Sequence, residues 1–208
     1  MSEMPMIPML DHGHVRLVEH VGSDLSIVRA ARVSYDAEWR AGDDEGADEK
    51  LINYLMKNKH TTPFESVVFT FDIKAPIFVF RQWHRHRTWA YNEVSARYSV
   101  LPNEMYVPRI QDVGAQAKDN KQMRDIDPEM SADDLKAAEI SVQLIRSQNE
   151  QAYATYQSLI ERKVPRELAR GVLPVNTYSH MFGTVSLHNL LHYLRLRTHE
   201  HAQYEIRV

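Results

Sequence analysis

The chain has 208 residues, of which 43% are hydrophobic, and its 25 basic and 28 acidic side chains give a formal net charge of −3 at pH 7. This near-neutral balance argues against a general nucleic-acid binder, which would be basic throughout. The absence of cysteine excludes disulfides, cysteine-ligated zinc, iron–sulfur clusters and a thiolate nucleophile. Length and hydrophobic content predict one domain, 1–208, with a sizeable core.

The N-terminal segment MSEMPMIPML has no basic region and contains two prolines, so we expect no signal peptide. The longest wholly apolar run, 75–80, is too short to span a bilayer. We therefore expect a soluble cytoplasmic protein without membrane partners.

Strand and helix patterns alternate along the first half of the chain, without internal repeats. Residues 15–21 predict a strand, and 24–34 predict a helix capped by Ser23 or Asp24. An acidic segment at 36–48 is expected to be a mobile loop.

Residues 49–58 predict a second helix. Its buried stripe comprises Leu51, Ile52, Leu55 and Met56. A capping box, with Thr62 as N-cap and Glu65 at the third helical position, then opens a turn. The strict alternation of 67–73 predicts a half-buried strand, whose polar side includes Asp72.

Pro76 ends this strand and can start a helix at 77–88. A long helix is predicted at about 131–162, with Ser131 and Asp134 as its cap pair. Its apolar positions step by three and four residues, which predicts a heptad seam along another helix. The seam comprises Leu135, Ala138, Val142, Ile145, Asn149, Ala152, Tyr156 and Leu159.

Shorter elements complete the pattern. Residues 94–102 predict a loop or short strand, and 111–130 a mobile polar segment. A short helix at 165–170, a strand at 177–185 and a last helix capped by Ser186 follow. One face of that helix carries Leu187, Leu190, Leu191 and Leu194.

The segment 81–97, RQWHRHRTWAYNEVSAR, carries four arginines against one acid, Glu93. Arginine forks bind phosphate oxygens, while the interleaved aromatic rings and amides suit flat polar heterocycles. A solvated basic helix face is the plain alternative. The irregular spacing and the large aromatics favour a binding site.

Metal and nucleophile chemistry are poorly supported. Three histidine pairs have ligand-like spacing, namely His84 with His86, His188 with His192, and His199 with His201. A hydrolytic zinc helix needs a glutamate where Asn189 stands, and the arginines around His84 would repel a dication. We predict no metal site. Neither a serine nucleophile elbow nor a glycine fingerprint is present, so arginines and histidines must hold any nucleotide phosphates.

Arg85-His86-Arg87, then seven residues and Ser95, resembles the signature of the flavin-dependent thymidylate synthases. Further segments resemble that family in the right order, at 60–65, 81–83, 165–174, 196–197 and 202–206. The resemblance extends from about Asp24 to the C-terminus.

This resemblance implies reductive methylation of dUMP to dTMP, with methylenetetrahydrofolate as one-carbon donor and NADPH-reduced FAD as hydride source. It implies an α/β (α+β) fold, in which helices flank a central, mostly antiparallel sheet, and a homotetramer with shared active sites. The absence of cysteine fits independently, because the other kind of thymidylate synthase attacks uracil with a thiolate.

Site residues follow from the matched positions. Contacts with dUMP are expected from Gln82, Trp83, His84, Arg85, Glu93, Val94, Ser95, Ala96, Arg97, Arg170 and Arg197. Contacts with FAD are expected from Thr62, Arg85, His86, Arg87, Glu93, Ser186, Leu187, His188 and His192, with His60 and Ser34 nearby. The catalytic residue, Arg197, would face the uracil N3–O edge and favour its ionised form, because a fixed cation lowers the pKa of an adjacent acid.

Arg97 and Arg170 are the expected phosphate and ribose clamps, with Arg170 from a neighbouring subunit, and Ser95 is expected as a contact. Thr62 could instead be only a helix cap, and Glu93 only an ion-pair partner. His192 could be a partly buried histidine with satisfied hydrogen bonds, and Arg170 could interact only with the C-terminal dipole of its short helix.

Three positions depart from the family pattern. Ala96 stands where glycine is usual, and Ser186-Leu187-His188 replaces an Asn-x-Arg that reaches the flavin. The chain ends at Val208, where relatives commonly continue with another helix.

Two rival functions stay open. One is a related flavoenzyme with altered chemistry, such as hydroxymethylation of a pyrimidine nucleotide or NADPH oxidation alone. The other is a nucleotide- or RNA-binding module that uses 81–97 for stacking and phosphate contact. A small-molecule enzyme without a nucleic-acid polymer partner is the prediction.

Overall fold

The computed structural model describes residues 4–118, 120, 123–126 and 129–208. The described residues form a five-stranded antiparallel sheet with the strand order β1-β2-β3-β7-β4. Its strands are β1 (Ile7–Met9), β2 (Gly13–Val21), β3 (Val68–Pro76), β4 (Ala90–Glu93) and β7 (Tyr178–Ser186). A separate hairpin pairs β5 (Ala115–Gln116) with β6 (Arg124–Asp125).

Helices accompany this sheet. They are α1 (Asp24–Arg32), α2 (Glu45–Lys57), α3 (Ile77–Trp83), α4 (Ala132–Glu161), α5 (Arg166–Ala169), α6 (Leu187–Arg197) and α7 (Tyr204–Arg207). The predicted α/β class, the antiparallel sheet and the long helix are confirmed. Within the described ranges, no helix combines the length and apolar character needed to cross a membrane.

The main core joins β3 and β7 to α3 and α6. Its members include Ile73, Phe80, Trp83, Met181 and Tyr193. Trp89 completes the cluster by lying against Gly183 of β7, where a Cβ atom would come within 3.1 Å of the indole Cε3. A side chain at position 183 would therefore be tight, and the indole would have to shift by a few tenths of an ångström to admit it. A second cluster, Ile27, Leu55, Phe64 and Val67, lies under α1 and α2.

The long helix follows its prediction closely. The Ser131 hydroxyl caps it by accepting from the Asp134 amide at 3.2 Å and donating to the Asp134 carboxylate at 2.6 Å. The middle of the seam is buried within the chain, at Ala138, Val142, Asn149, Ala152 and Tyr156. Leu135, at the start of the seam, is exposed.

The helix predicted at 77–88 is too long. The structure ends α3 at Trp83, and β4 follows after a turn. Sequence reasoning missed β4 because its hydrogen bonds come from β7, about ninety residues later in the chain. Trp89 and Tyr91 then pack towards the core rather than continuing a helical face.

Three smaller predictions in and near α2 are also wrong. The helix begins at Glu45, because the Asp44 carboxylate caps the Ala47 amide at 3.1 Å, so the acidic loop is shorter than predicted. Met56 is 47% exposed and does not belong to the buried stripe. Thr62 is the first residue of a 3₁₀ turn, Thr62–Ser66, whose N-cap is Thr61 without a side-chain bond.

The segment 111–130 contains the β5–β6 hairpin, and Asp112 at its start is buried. Residues 119, 121–122 and 127–128 of this segment lie outside the described residues. Its predicted mobility, that of 36–48, and the single domain stay predictions.

Asp72 of β3 is 3% exposed and lies at the centre of a charge cluster on the polar face of the sheet. Its carboxylate accepts from His14 at 3.1 Å and Arg16 at 2.8 Å, and it contacts His180. Burial raises the pKa of Asp72, but the hydrogen bonds from His180, His14 and Arg16 outweigh burial, so that its pKa lies below the ordinary 3.8.

We expect Asp72→Asn to lower the free energy of unfolding by about 2 kcal/mol at pH 7, because three donors lose a charged acceptor. The contribution of the carboxylate is complete above the ordinary pKa of 3.8 and is lost as the pH falls through the lowered native value. Urea denaturation of both proteins from pH 7 to pH 3 measures this. Glu19→Gln, an exposed change on β2, is the control. Equal stability of the two variants at pH 7 would contradict the assignment.

Candidate functional site

A cavity of about 600 Å³ lies where the end of β4 meets α3 and the end of α5. Six of its lining residues carry the chemistry: Arg81, His84, Glu93, Ser95, Ala96 and Arg170. We call it the first cavity. Five of these six are predicted dUMP contacts, so the structure brings much of that set together within one chain; Val94 lines it too.

A tight turn shapes one wall of the first cavity. The Ser95 carbonyl accepts from the amides of Tyr98 at 3.0 Å and Ser99 at 3.2 Å, and the Ser95 hydroxyl accepts from the Arg97 amide at 3.3 Å. Among the described residues, no histidine or carboxylate hydrogen-bonds that hydroxyl. Ser95 is therefore arranged to contact a ligand and has no base to activate it as a nucleophile.

The first cavity is rich in positive charge. Within the described ranges, neither Arg81 nor Arg170 has an ion-pair partner. Arg97 approaches Glu167 at 3.6 Å, but both side chains are more than half exposed, so this pair adds little stability and leaves Arg97 available. Glu93 accepts a 2.6 Å bond from Ser179. An anionic ligand would complement these charges.

Arg197, at the C-terminal end of α6, is held against the end of α3. Its guanidinium donates to His86 Nε2 at 2.9 Å, to the Gln82 carbonyl at 2.9 Å and to Gln82 Oε1 at 3.4 Å. These bonds fix the plane of the guanidinium. They also join residues more than 110 positions apart in sequence.

His86 is buried, and its pKa is lowered from the ordinary 6.5 by burial, followed by the charges of Arg197 and His192. The ring is therefore neutral at pH 7. Because its Nε2 accepts from Arg197, the ring proton resides on Nδ1. A neutral His86 is thus an acceptor that orients the Arg197 guanidinium.

Five predicted dUMP contacts are not among the residues that line the first cavity, namely Gln82, Trp83, Arg85, Arg97 and Arg197. Arg197 instead lines a separate cavity of about 250 Å³ together with Trp83 and Tyr193. The Trp83 indole is in the core, stacked on Tyr193 with ring centroids 4.7 Å apart and edge-on to Trp89 at 5.5 Å. Arg85 is exposed on the turn after α3, as is Arg87, and neither has an ion-pair partner in the described part of the chain.

A second cavity, of about 590 Å³, lies between α2, the 3₁₀ turn Thr62–Ser66 and α6. Apolar side chains share its lining with cations and imidazoles: Met56, Phe64 and Leu191 with Lys59, His188, His192 and Arg195. No carboxylate is found among the described residues that line it.

The predicted FAD contacts divide between the cavities and the core. His188 and His192 line the second cavity, and Thr62 lies beside it in the 3₁₀ turn. Leu187 packs into the second core cluster. Ser186 precedes α6 and accepts from Asn189 at 3.1 Å. Glu93 belongs to the first cavity.

The two residues predicted to lie near FAD, His60 and Ser34, do not line either cavity. His60 stands edge-on to the Tyr54 ring at 5.8 Å, and Ser34 lies in the turn after α1.

Sequence reasoning missed several lining residues. Ser179 and Glu167 reach the first cavity because β7 pairs with β4 and because α5 closes over it, which no local motif signals. Lys59 was also missed. Arg195 could have been found, since it is three residues after His192 on the same helix.

His14, Asp72 and His180 are the one group of described residues whose donor atoms lie close enough to share a metal ion, within 4.8 Å of one another. Sequence reasoning considered other histidine pairs and missed this one, because its members lie on three strands. The Asp72 oxygens already accept from both imidazoles and Arg16, and the guanidinium would oppose a dication. We assign the group a structural role.

The family model described as thymidylate synthase complementing protein (Thy1) matches residues 16–208. A flavin-dependent thymidylate synthase of Treponema denticola is 48% identical over 199 residues, which cover 96% of this chain and 72% of the relative. One from Thermus thermophilus is 47% identical over 201 residues, covering 97% and 70%. The chain belongs to the flavin-dependent thymidylate synthase family.

Solved structures agree with this assignment. The UMP/dUMP methylase PolB from Streptomyces cacaoi, bound with 5-Br dUMP, superimposes with a TM-score of 0.82 at 38% identity, covering 97% of this chain and 88% of that one. Its complex with 5-Br UMP gives a TM-score of 0.80 at 36% identity, covering 97% and 86%.

The neutral state of His86 predicts a pH dependence. Because its native pKa lies below 6.5, the unfolded chain takes up the proton first, and stability falls as the pH decreases from about 6.5 through the native value. We expect His86→Gln to reduce this loss, measured by urea denaturation between pH 8 and pH 5. His201→Gln, at an exposed position, is the control. An unchanged slope in His86→Gln would contradict a lowered pKa.

Proposed function

We propose that this protein methylates dUMP to dTMP, with methylenetetrahydrofolate as one-carbon donor and NADPH-reduced FAD as hydride source. The observation that carries the proposal is the fixed guanidinium of Arg197, in a chain of this family that has no cysteine. Without a thiolate the pyrimidine must be activated in another way, and a fixed cation provides one.

In this proposal the first cavity binds the nucleotide. Arg97 and Arg170 contact the phosphate and ribose, and Ser95 donates its hydroxyl to the same ligand. Arg197 faces the N3–O edge of the uracil and lowers the pKa of N3. Neutral His86 keeps the guanidinium plane in place, because a protonated ring could not accept from it.

The residues around the second cavity fit part of a flavin dinucleotide. The apolar patch of Met56, Phe64 and Leu191 suits a ring system, and Lys59 and Arg195 suit phosphates, without a carboxylate to repel them. The unpaired arginines of the turn after α3, with Thr62, His188 and His192, would complete the contacts. When bound, the reduced flavin supplies the hydride.

We propose a homotetramer in which neighbouring subunits complete each active site. Supporting this, apolar side chains along α4, namely Leu135, Ile140 and Leu144, are exposed in the single chain and would be covered by another subunit. Arg170 lines the first cavity of its own chain, so its predicted origin in a neighbouring subunit is not needed to build that cavity. A cytoplasmic location is part of the same proposal.

The first experiment is anaerobic turnover of dUMP with methylenetetrahydrofolate, NADPH and added FAD, assayed for dTMP. We expect dTMP from the wild type and a fall of at least about a hundredfold in kcat for Arg197→Ala, because a fixed cation at the reacting group is lost. Arg29→Ala, at an exposed arginine on α1, should keep full activity. NADPH consumption without dTMP would favour the altered flavoenzyme, and no flavin binding would favour the binding module.

UMP is a second candidate substrate, because the similar PolB structures are of a UMP/dUMP methylase with bound 5-Br dUMP or 5-Br UMP. The two nucleotides differ by one hydroxyl, which changes kcat/KM by roughly tenfold to a hundredfold when a pocket must admit it. We expect methylation of UMP at a lower kcat/KM than dUMP, measured by competition in one reaction. Absence of methylated UMP at millimolar substrate would remove this candidate.

A further inference from the structure

Glu205, on the short helix α7, is a buried carboxylate with 6% of its surface exposed. Carboxylates are rarely buried unless every oxygen is paired. Oε1 accepts from the Tyr106 hydroxyl at 3.0 Å and from Arg124 at 2.8 Å, and Oε2 accepts from the Gln203 amide at 2.8 Å. Burying a carboxylate costs desolvation free energy, which suggests that Glu205 has a specific role at this position.

Two glutamines connect Glu205 to Arg197. The Gln203 Oε1 atom accepts from the Gln82 amide nitrogen at 2.5 Å. Gln82 then presents its own Oε1 to Arg197 at 3.4 Å, beside the bond from Arg197 to the Gln82 carbonyl. A continuous line of hydrogen bonds therefore runs from the buried carboxylate to the guanidinium.

The two ends of this line, the Arg197 guanidinium that can only donate and the Glu205 carboxylate that can only accept, together set the direction of its bonds. A carboxylate can only accept, so Gln203 must turn its nitrogen towards Glu205 and its oxygen towards Gln82. Gln82 must then use its nitrogen for Gln203, which leaves its oxygen for Arg197. An amide in place of Glu205 permits the reverse order, in which Gln82 turns its nitrogen towards the guanidinium and repels it.

The other partners of Glu205, Tyr106 and Arg124, both donate to its carboxylate and are compatible with the bond directions described above. Burial raises the pKa of Tyr106, and the charge of Glu205 raises it further, so the phenol stays a donor to the carboxylate. Arg124, on β6, supplies the compensating positive charge.

We propose that Glu205 is a positioning residue for Arg197: through Gln203 and Gln82 it keeps an amide oxygen against the guanidinium. In this proposal Glu205 acts on Arg197 through the two glutamines, although both Glu205 and Arg197 line one cavity of about 250 Å³. The inference rests on the function proposed above for Arg197. A purely structural alternative is that Glu205 only anchors α7 to the hairpin through Arg124.

Exchanging the side chains of positions 203 and 205 distinguishes the positioning role of Glu205 from a purely anchoring role. Glu205→Gln allows the reversed order, and we expect kcat for dTMP formation to fall roughly tenfold to a hundredfold, with a smaller change in KM for dUMP. The double variant Gln203→Glu with Glu205→Gln restores a carboxylate that must accept from Gln82. It should recover most of kcat, although Arg124 then faces an amide. Glu104→Gln, which loses an ion pair with Lys74, is the matched control and should keep wild-type kcat.

The readouts include one that needs no turnover. The Nη1 protons of Arg197, which face Gln82 Oε1 and are identified in ¹⁵N spectra by their loss in Arg197→Lys, should exchange more slowly in the wild type and the double variant than in Glu205→Gln. Melting temperatures of all variants report folding. If the double variant matches Glu205→Gln in both kcat and exchange, the positioning role is wrong and the anchor remains. If the wild type makes no dTMP while the exchange pattern holds, the proposed function fails and the positioning of Arg197 stands.

Discussion

The hydrogen bonds of Arg197 join the end of α6 to the end of α3 and to the turn that carries the basic cluster. Their geometry depends on the aromatic packing one turn away, where Tyr193 stacks on Trp83. The sheet supports both helices, the stacked rings set the distance between them, and the guanidinium is placed by that distance. A change in the distance between α3 and α6 would therefore move the Arg197 guanidinium relative to Gln82 and His86.

Charge is distributed unevenly in this molecule. The whole chain is slightly acidic, yet Arg81, Arg85, Arg87 and Arg170 have no ion-pair partner in the described part of the structure. Keeping these cations unpaired favours the bound state, because their mutual repulsion is relieved when phosphate groups arrive. The acidic remainder of the surface limits binding to longer polyanions, which suits an enzyme that binds mononucleotides.

Local patterns predicted the elements whose hydrogen bonds are local. The cap of α4 at Ser131 and its buried seam are examples, because 3.6-residue periodicity and capping act within a few residues. The short strand β4 could not be found in this way, since its partner lies far along the chain. The burial of Asp72 and Glu205 was not predicted for the same reason. Their hydrogen-bond partners, such as His180 and Arg124, lie far away in sequence. The family resemblance predicted the candidate site residues, whereas only the fold showed that Ser179 lines the first cavity and Lys59 the second.

The contact between Trp89 and Gly183 couples the effects of substitutions at these two positions. The indole of Trp89, in the bend before β4, lies over Gly183 of β7, and the ring occupies the space that a side chain at position 183 would enter. A side chain added at position 183 would press on the indole, and a smaller residue at position 89 would relieve this contact, so we expect the effects of substitutions at the two positions to be coupled. Changing one of the two alone would therefore either crowd the indole or leave a void beside it, even where each residue is acceptable in its own background.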